Sequence, residues 1–573
     1  MRLQFKIAIC AVFALFTVSL RAAPFNPTHA QHAMVASVHE LASRAGIEIM
    51  QAGGNAVDAA VATGFALAVV HPQAGNIGGG GFLLLRTANG ETHFIDFREK
   101  APAAANENMY LDAEGKVVRD LSVVGYKAIG IPGSVAGLAY AEKKYGKLTL
   151  EKVMAPAIRL ARDGFPLAYE DVRDLKDDRH LAEFPESRRI FLGEGKLYQA
   201  GEVFKQPELA RTLERIAKNP DDFYHGELAR ELASDIQKGG GLVTAADLAA
   251  YEVKEREPIR GTYRGYDIIG APPPSSGGTA LIEILNILEG FDLSRTGNRS
   301  AETIHLTVEA FRRAFYDRAE FMGDPDFSRV PVPQLIDKKY AEAWRESIDP
   351  KHASPSKDLK RPPFDNLERV ASSQAVEIHE PENTTHYSVV DSEGNAVAVT
   401  TTLNDSFGSR VTAEGLGFLL NDEMDDFASK QGVPNAYGLI QGPANAVGPN
   451  KRPLSAMTPT IVLKDGKLFL VLGSPGGPTI TTTVANILMG VVDFGLDIQE
   501  AVNAPRFHNQ WLPDQIDVED RLSPDTMNLL RSMGHKLALR HSWGDGECIM
   551  VDPKTGERLG ASDGRNNGKA VGY

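Results

Sequence analysis

Two pairs of short apolar segments, each pair joined by a tight turn, constrain the fold of this chain most strongly. The predicted hairpins are His386–Val390 with Ala396–Thr402, and Thr460–Leu463 with Leu468–Leu472. β-Branched and aliphatic residues dominate these segments, and the connecting residues include Gly with Asn or Asp, which is typical of hairpin turns. Helices are predicted after them at Thr481–Val492 and Asp497–Ala504. Antiparallel hairpins with helices on their faces predict an α+β chain built as a layered αββα domain.

The first hundred residues repeat this mixture of helices and strands. Ser37 is a candidate N-cap for a helix over Val38–Gln51, and Ala56–Val70 is so apolar that we expect it to be buried on all sides. Further strands are predicted at Phe82–Thr87 and Thr92–Arg98. The run Gly78–Gly81 lacks the Lys-Ser/Thr of a phosphate-binding loop, so we interpret it as close backbone packing.

The remainder of the first part is less regular. Residues 150 to 350 show a mostly helical pattern, without internal repeats. The stretch Ser354–Ser373 is rich in Pro, Ser, Lys and Asp and has no periodicity, which predicts an exposed, mobile loop.

The N-terminus has the three-part pattern of a secretory signal. Arg2 and Lys6 precede the apolar run Ile7–Leu20, and the small residues Ala22 and Ala23 follow it. We therefore expect a signal peptide over residues 1–23 and a periplasmic or secreted protein without a membrane span in its mature form. The alternative is an uncleaved membrane anchor, for which the apolar run is short.

Composition excludes some classes of protein. A net charge of −14 argues against a nucleic-acid partner, which usually meets a basic face. Of the two cysteines, Cys10 lies in the signal segment, so the mature chain would keep only Cys548. An intramolecular disulfide and a cysteine-based metal cluster are then both excluded.

The segment Asn383-Thr384-Thr385-His386 suggests a nucleophile. Threonine is a weak nucleophile without a base, but a threonine at a chain terminus carries its own base in its α-amine. Backbone cleavage between Asn383 and Thr384 would create such a terminus. The alternative is a β-branched pair that opens an ordinary strand. No Gly-x-Ser-x-Gly motif indicates a serine hydrolase instead.

Several ordered motifs decide between these alternatives. The chain resembles the γ-glutamyltranspeptidase family from about residue 34 to its C-terminus. The motifs that carry the resemblance are Met34-Val35-Ala36-Ser37, His71-Pro72-Gln73-Ala74-Gly75-Asn76, Asp96-Phe97-Arg98-Glu99, Thr384-Thr385-His386-Tyr387-Ser388-Val389-Val390-Asp391, Arg452-Pro453-Leu454-Ser455-Ala456-Met457 and Gly473-Ser474-Pro475-Gly476-Gly477.

The resemblance implies a four-layer αββα sandwich of the N-terminal nucleophile hydrolase type. It also implies one precursor that cleaves itself into a large subunit, 24–383, and a small subunit, 384–573. Thr384 would be the nucleophile, and Thr402 the second threonine that hydrogen-bonds it. Gly476 and Gly477 would donate backbone N–H groups to the oxyanion.

The same resemblance places a binding site for the zwitterionic α-carbon of a γ-glutamyl donor. Arg98 would bind the carboxylate, with a hydroxyl added by Ser455, and Asp426 would bind the ammonium beside Glu423 and Asn404. The segment Pro434–Asn450 resembles the lid loop of bacterial members, with Tyr437 at its tip. One departure stands out: where members commonly carry two serines, this chain has Ser455-Ala456, so one hydroxyl is missing.

The resemblance therefore implies a γ-glutamyltransferase and glutathione hydrolase that needs no metal or organic cofactor. Its partners would be glutathione and other γ-glutamyl compounds, with water, amino acids or dipeptides as acceptors. Three alternatives remain: a glutaryl-type cephalosporin acylase of the same fold, a non-catalytic periplasmic solute-binding protein, and an inert paralogue that matures without turnover.

Overall fold

Two seven-stranded antiparallel sheets form the centre of the molecule. The computed structural model describes residues 26–118, 120–363 and 384–573. In spatial order, the first sheet contains Lys569–Gly572, Met34–Ser37, Thr384–Val390, Ala396–Thr402, Gly80–Arg86, Thr92–Phe97 and Lys254–Arg256. The second contains Thr28–Ala30, Arg558–Ala561, Cys548–Val551, Lys467–Leu472, Thr460–Lys464, Tyr266–Gly270 and Ile259–Tyr263.

Alternation along the strands produces the layers. Phe82 and Leu84 belong to a buried cluster that also contains Ile461 from the other sheet. Leu83 and Leu85 belong instead to the cluster that contains the helices on the opposite face. Successive side chains of a strand point to opposite faces of the sheet. Phe82 and Leu84 therefore face the partner sheet, and Leu83 and Leu85 face the helices.

Each sheet carries its own layer of helices. The buried cluster on the outer face of the first sheet includes residues of the helices Glu40–Gln51, Ala56–Val70, Ser134–Tyr145, Leu150–Asp163, Tyr169–Asp177, Pro185–Phe191, Pro207–Lys218, Asp222–His225, Glu227–Lys238 and Ala245–Ala249. The corresponding cluster of the second sheet includes residues of the helices Gly277–Leu288, Ala301–Phe321, Lys338–Glu346, Thr479–Val492, Ile498–Asn503 and Pro524–Ser532. The predicted αββα sandwich is therefore confirmed. Within the described residues, no helix has the length and apolarity needed to cross a bilayer.

The two parts of the chain on either side of residue 383 are interleaved. Strand Thr384–Val390 pairs with Met34–Ser37 on one side and with Ala396–Thr402 on the other. Ala396–Thr402 in turn pairs with Gly80–Arg86. Two strands from the later part thus lie between strands from the earlier part at the centre of one sheet, and neither part completes that sheet alone.

The glycine run allows close approach of backbones, as the sequence predicts. A Cβ at Gly79 would lie 2.0 Å from the Thr402 carbonyl oxygen, and one at Gly81 would lie 2.3 Å from that of Thr400. Such distances exclude any side chain at these positions. The glycines therefore hold strand Gly80–Arg86 against the strand that carries Thr402.

One capping prediction is wrong. Ser37 is the last residue of strand Met34–Ser37, where its backbone pairs with Tyr387 and Lys569. The helix begins at Glu40, and its N-cap is His39, whose Nδ1 accepts a hydrogen bond from the Leu41 N–H at 3.2 Å. Pairing in the sheet overrides the local capping preference of serine.

The predicted loop Ser354–Ser373 is less exposed at its start than its composition suggests. Ser356 is buried and donates its hydroxyl to the Trp511 carbonyl at 2.6 Å. Arg361 pairs with Asp317 and Glu320 on helix Ala301–Phe321. The first ten residues are therefore anchored to the body of the protein, while residues 364–373 lie outside the described residues.

Candidate active site

The candidate nucleophile lies at the first position of a central strand. Thr384 is paired directly with Thr402 across strands Thr384–Val390 and Ala396–Thr402. The Thr402 hydroxyl donates to the Thr384 Oγ at 3.4 Å and accepts a hydrogen bond from the Asn404 N–H at 2.9 Å. Only 7% of Thr384 is exposed. The Asn404 contact orients the Thr402 hydroxyl so that its proton faces Thr384.

Two cavities meet at Thr384. The inner one has a volume of about 20 Å³ and the outer one about 420 Å³. The inner cavity is lined by Arg98, Arg318, Thr384, Thr402, Asn404, Glu423, Asp426, Tyr437, Leu439, Ser455, Ala456, Met457, Gly477, Pro478 and Ile480. All the residues proposed from the sequence except Gly476 and Asn383 therefore border one small space. Asn383 lies outside the described residues.

Arg98 and Asp426 contact each other directly. Arg98 is fully buried, and its Nη2 donates to Asp426 Oδ2. Its Nη1 lies 2.5 Å from Glu423 Oε1 and 3.5 Å from Glu99 Oε2. The opposed charges predicted to bind a zwitterion are thus brought together, and in this structure each neutralises the other.

Three acidic side chains surround Arg98 in this cluster, and the pKa values of Arg98, Glu99 and Glu423 are shifted. Burial lowers the pKa of Arg98, but the carboxylates of Glu423, Asp426 and Glu99 outweigh that effect and raise it overall. Burial raises the pKa of Glu99 to about 7 and that of Glu423 well above its usual range, although Arg98 opposes both shifts. The cluster therefore retains protons near neutral pH, which limits the charge that it buries.

Tyr437, in the segment Pro434–Asn450, places its aromatic ring beside the inner cavity. Tyr437 is buried, and its hydroxyl donates to the Asn404 carbonyl at 2.6 Å. A Cβ at Gly477 would lie 2.8 Å from the Tyr437 ring, so the ring packs directly on that glycine. The position assigned to Tyr437 from the sequence thus borders the site, and its hydrogen bond to Asn404 fixes the ring beside the cavity.

The glycine pair follows strand Lys467–Leu472 at the point where helix Thr479–Val492 begins. Gly476 and Gly477 have φ values of +125° and +51°, a backbone region that favours glycine. The Gly476 carbonyl accepts from the Thr479 N–H at 2.9 Å and from its hydroxyl at 2.7 Å. Of this turn, Gly477 borders the inner cavity and Pro475 the outer one, with Thr384 shared between them.

Two features of the site were missed by the sequence analysis. Arg318, on helix Ala301–Phe321, borders the inner cavity with 3% of its surface exposed. The outer cavity is strongly charged; its charged lining residues are Arg173, Asp174, Asp177, Asp178, Asp405, Arg410, Asp545 and Arg565. Neither feature follows a recognisable motif, and helical periodicity does not distinguish Arg318 from the other charged residues of its helix.

One cluster in the described chain has the residue types of a metal site. His305, Glu309 and His535 place potential ligand atoms within 4.8 Å of one another. However, His305 Nδ1 and His535 Nε2 share a hydrogen bond of 2.8 Å, and Glu309 pairs with Arg313 at 2.7 Å. Because these ligand atoms already have partners and arginines lie beside them, we assign no metal to this cluster.

Similarity to known proteins bears on the identity of the site. A family model described as gamma-glutamyltranspeptidase matches residues 42–573. The glutathione hydrolase proenzyme of Escherichia coli (strain K12) is 49% identical over 577 residues, which cover 98% of this chain and 97% of the relative. The chain belongs to the γ-glutamyltranspeptidase family.

Solved structures agree with this family membership. The Helicobacter pylori gamma-glutamyltranspeptidase is 48% identical with a TM-score of 0.56, over 56% of this chain and 93% of that chain. The cephalosporin acylase from Bacillus halodurans is 29% identical with a TM-score of 0.81, over 97% of this chain and 99% of that chain. The glutathione hydrolase proenzyme is more similar in sequence than this acylase, so the γ-glutamyltransferase expectation holds over the acylase alternative.

Proposed function

We propose that this γ-glutamyltranspeptidase family member transfers the γ-glutamyl group of glutathione and related amides through an ester on Thr384. The observation that carries the proposal is the single cavity in which Thr384, Thr402 and the Arg98–Asp426 pair meet. A candidate nucleophile, its hydrogen-bonding partner and both charges required for an amino-acid head group are thereby within one site.

The nucleophile is freed by cleavage of the precursor between Asn383 and Thr384. An unperturbed α-amine has a pKa of about 7.7–8.0, which leaves part of it neutral at physiological pH. The new α-amine of Thr384 then accepts the proton of the threonine hydroxyl. Thr402 donates its hydrogen bond to the attacking oxygen. The E. coli relative is called a proenzyme, which supports the formation of two subunits from one precursor.

The reaction proceeds in two acyl-transfer steps. Thr384 Oγ attacks the γ-carbonyl carbon, the carbon–nitrogen bond breaks, and the departing amine takes the proton held by the α-amine. With glutathione the product that departs is cysteinylglycine. Water, an amino acid or a dipeptide then attacks the ester, returns a proton to Thr384 and carries away the γ-glutamyl group.

Donor binding requires the Arg98–Asp426 pair to open. The inner cavity of about 20 Å³ holds little more than one water molecule, so a γ-glutamyl group does not fit beside the closed pair. The donor inserts its own carboxylate and ammonium between the two side chains and replaces one ion pair by two. Exchange of partners keeps each buried charge paired, which avoids the cost of an isolated one. Tyr437 moves with the lid segment to admit the donor.

The oxyanion is stabilised by the glycine turn. Gly477 borders the inner cavity with Thr384, and the backbone N–H groups of Gly476 and Gly477 are assigned as the oxyanion donors. Loss of one such donor typically lowers the rate by about 10²–10³. Asn404, Glu423 and Ser455 complete the donor site around the α-carbon.

The two subunits remain associated after cleavage, and the protein works in the periplasm or outside the cell. Association follows from the interleaved strands, because separation would break the centre of a seven-stranded sheet. The location is supported by the signal-like pattern of residues 1–23.

A chromogenic assay tests the proposal. The purified protein should release anilide from a γ-glutamyl anilide, release it faster when Gly-Gly is added, and leave the corresponding glutaryl anilide nearly untouched. Equal or preferred turnover of the glutaryl anilide would favour the acylase alternative. Absence of turnover in a fully cleaved protein would indicate an inert paralogue.

A further inference from the structure

Arg318 is a buried cation in the inner cavity that forms no ion pair within the described chain. Its residue exposure is 3%, and its Nε donates to the Ser276 hydroxyl at 3.0 Å. Its Nη1 is buried without a hydrogen-bond partner. A buried guanidinium with so few partners is unusual, because desolvation of a charge is costly unless the charge is paired.

A short relay fixes the position of this guanidinium. Ser276 accepts from Arg318 Nε and donates its own hydroxyl to the Ser455 carbonyl at 2.7 Å. Ser455 and Ala456 border the same cavity as Arg318. The relay therefore holds Arg318 beside the segment in which one family hydroxyl is replaced by the methyl group of Ala456.

The two arginines that border the cavity, Arg98 and Arg318, differ in their acidic partners. Arg98 contacts the carboxylates of Glu99, Glu423 and Asp426. Burial lowers the pKa of Arg318 to about 10, and the charge of Asp426 only partly opposes this shift, so Arg318 remains charged at neutral pH. Before a donor binds, Arg98 therefore already contacts three acidic side chains, whereas Arg318 contacts none in an ion pair within the described chain.

We propose that Arg318 is a second donor-binding arginine, which contacts the α-carboxylate of the γ-glutamyl group together with Arg98. It compensates for the hydroxyl that Ala456 lacks. This inference rests on the proposed function. Its geometric basis is that Arg318 borders the cavity, that its buried Nη1 has no hydrogen-bond partner, and that Ser276 holds its Nε.

Inhibition by three small amides distinguishes recognition of the α-carboxylate by Arg318 from a purely structural role of this residue. L-Glutamine carries both the carboxylate and the ammonium, glutaramate carries only the carboxylate, and 4-aminobutanamide carries only the ammonium. Each is measured as a competitive inhibitor of γ-glutamyl anilide hydrolysis by the wild-type protein, Arg318→Gln and Arg318→Lys, at fixed pH and without acceptor.

In Arg318→Gln, we expect KM for the anilide and the inhibition constants of glutamine and glutaramate to rise about 10- to 100-fold, as for loss of a hydrogen bond to a charged group. The inhibition constant of 4-aminobutanamide and kcat should change little, because the contact is remote from the reacting carbonyl. Arg318→Lys should recover part of the affinity for glutaramate.

The matched control is Arg313→Gln, a change to another buried arginine of the same helix that pairs with Glu309 and borders neither cavity. It should leave all three inhibition constants unchanged. Fragment pattern on a denaturing gel and melting temperature establish that each variant has matured and folded.

Two results would overturn the inference. One is an unchanged inhibition constant for glutaramate in a folded, cleaved Arg318→Gln protein. The other is an equal rise for 4-aminobutanamide, which would mean that Arg318 shapes the cavity without recognising the carboxylate. If instead the wild-type protein fails to hydrolyse the anilide at all, the proposed function itself is wrong, so the two failures are distinguishable.

Discussion

Thr384 and Thr402 face each other across two adjacent antiparallel strands, with their hydroxyl oxygens 3.4 Å apart. Since the strand pairing sets this distance, the second threonine is positioned by the sheet and not by a flexible loop. The Asn404 N–H fixes the direction of the Thr402 hydroxyl. The arrangement gives the proposed nucleophile a hydrogen-bond donor that is oriented before any substrate binds.

Replacement of Thr402 tests this relationship. Thr402→Val keeps the shape of the side chain and removes its hydroxyl, so we expect kcat for a γ-glutamyl anilide to fall about 10-fold or more with little change in KM. Thr402→Ser is the matched control and should retain most of the rate. Steady-state kinetics of the two variants would contradict the account if valine were tolerated as well as serine.

A second prediction concerns the ammonium of the donor. Asp426→Ala should still mature but lose γ-glutamyl turnover, since loss of one partner of a buried charge contact costs roughly 2–5 kcal/mol. Arg98→Ala should lose turnover as well and destabilise the protein more, because Arg98 is fully buried and its guanidinium contacts Glu99, Glu423 and Asp426. Kinetics and melting temperatures measure the two effects. Wild-type kinetics in Asp426→Ala would show that the carboxylate binds no ammonium.

Ala456 offers a gain-of-contact test. It borders the inner cavity with 8% of its surface exposed. Ala456→Ser adds a hydroxyl near the donor carboxylate, worth roughly 1.5–3 kcal/mol at most, and a bridging water in the wild type would reduce the gain. We expect a lower KM and an unchanged kcat in steady-state kinetics without acceptor. An unchanged KM would separate position 456 from carboxylate binding.

The raised pKa of Glu99 predicts a dependence of stability on pH. Burial raises it to about 7 from an ordinary 4.5, so the folded state binds this proton more tightly than the unfolded state. The resulting stabilisation is present below about pH 4.5 and is lost as the pH rises through 7. Glu99→Gln should therefore gain melting temperature relative to its parent as the pH rises from 5 to 8.

The comparison is best made in a Thr384→Ala background, in which we expect the chain to remain intact. A difference in melting temperature that stays constant from pH 5 to 8 would show that Glu99 does not hold its proton in the folded state.

Local sequence patterns correctly predicted the helices and strands in which nearly all residues are buried. Helix Ala56–Val70 has the bounds that its apolar sequence predicts, because every residue in it is buried. The hairpins after residue 384 were found for a similar reason, since most of their residues are buried and apolar or β-branched residues dominate their strands. Ser37 belongs to a strand because its backbone pairs with Tyr387 and Lys569, which are distant in sequence. A local capping preference contains no information about such pairing.

Residues that act through distant partners were harder to predict. The hairpin Ile259–Tyr263 with Tyr266–Gly270 lies within a mainly helical region and completes the edge of the second sheet. Arg318 reaches the site only because helix Ala301–Phe321 packs beside it. The motifs placed Arg98 and Asp426 in the same site, but their direct pairing depends on the fold that brings residues 98 and 426 together.

The central claim is that Thr384 becomes the first residue of the small subunit by self-cleavage and then carries the γ-glutamyl group. Mass spectrometry of the purified protein tests it most directly, before and after brief exposure to a γ-glutamyl anilide. We predict a small fragment that begins at Thr384 and gains the mass of one γ-glutamyl group on its first residue, and an uncut chain for Thr384→Ala. A Thr384→Ala protein cut at the same bond, or a γ-glutamyl group attached elsewhere, would contradict the account.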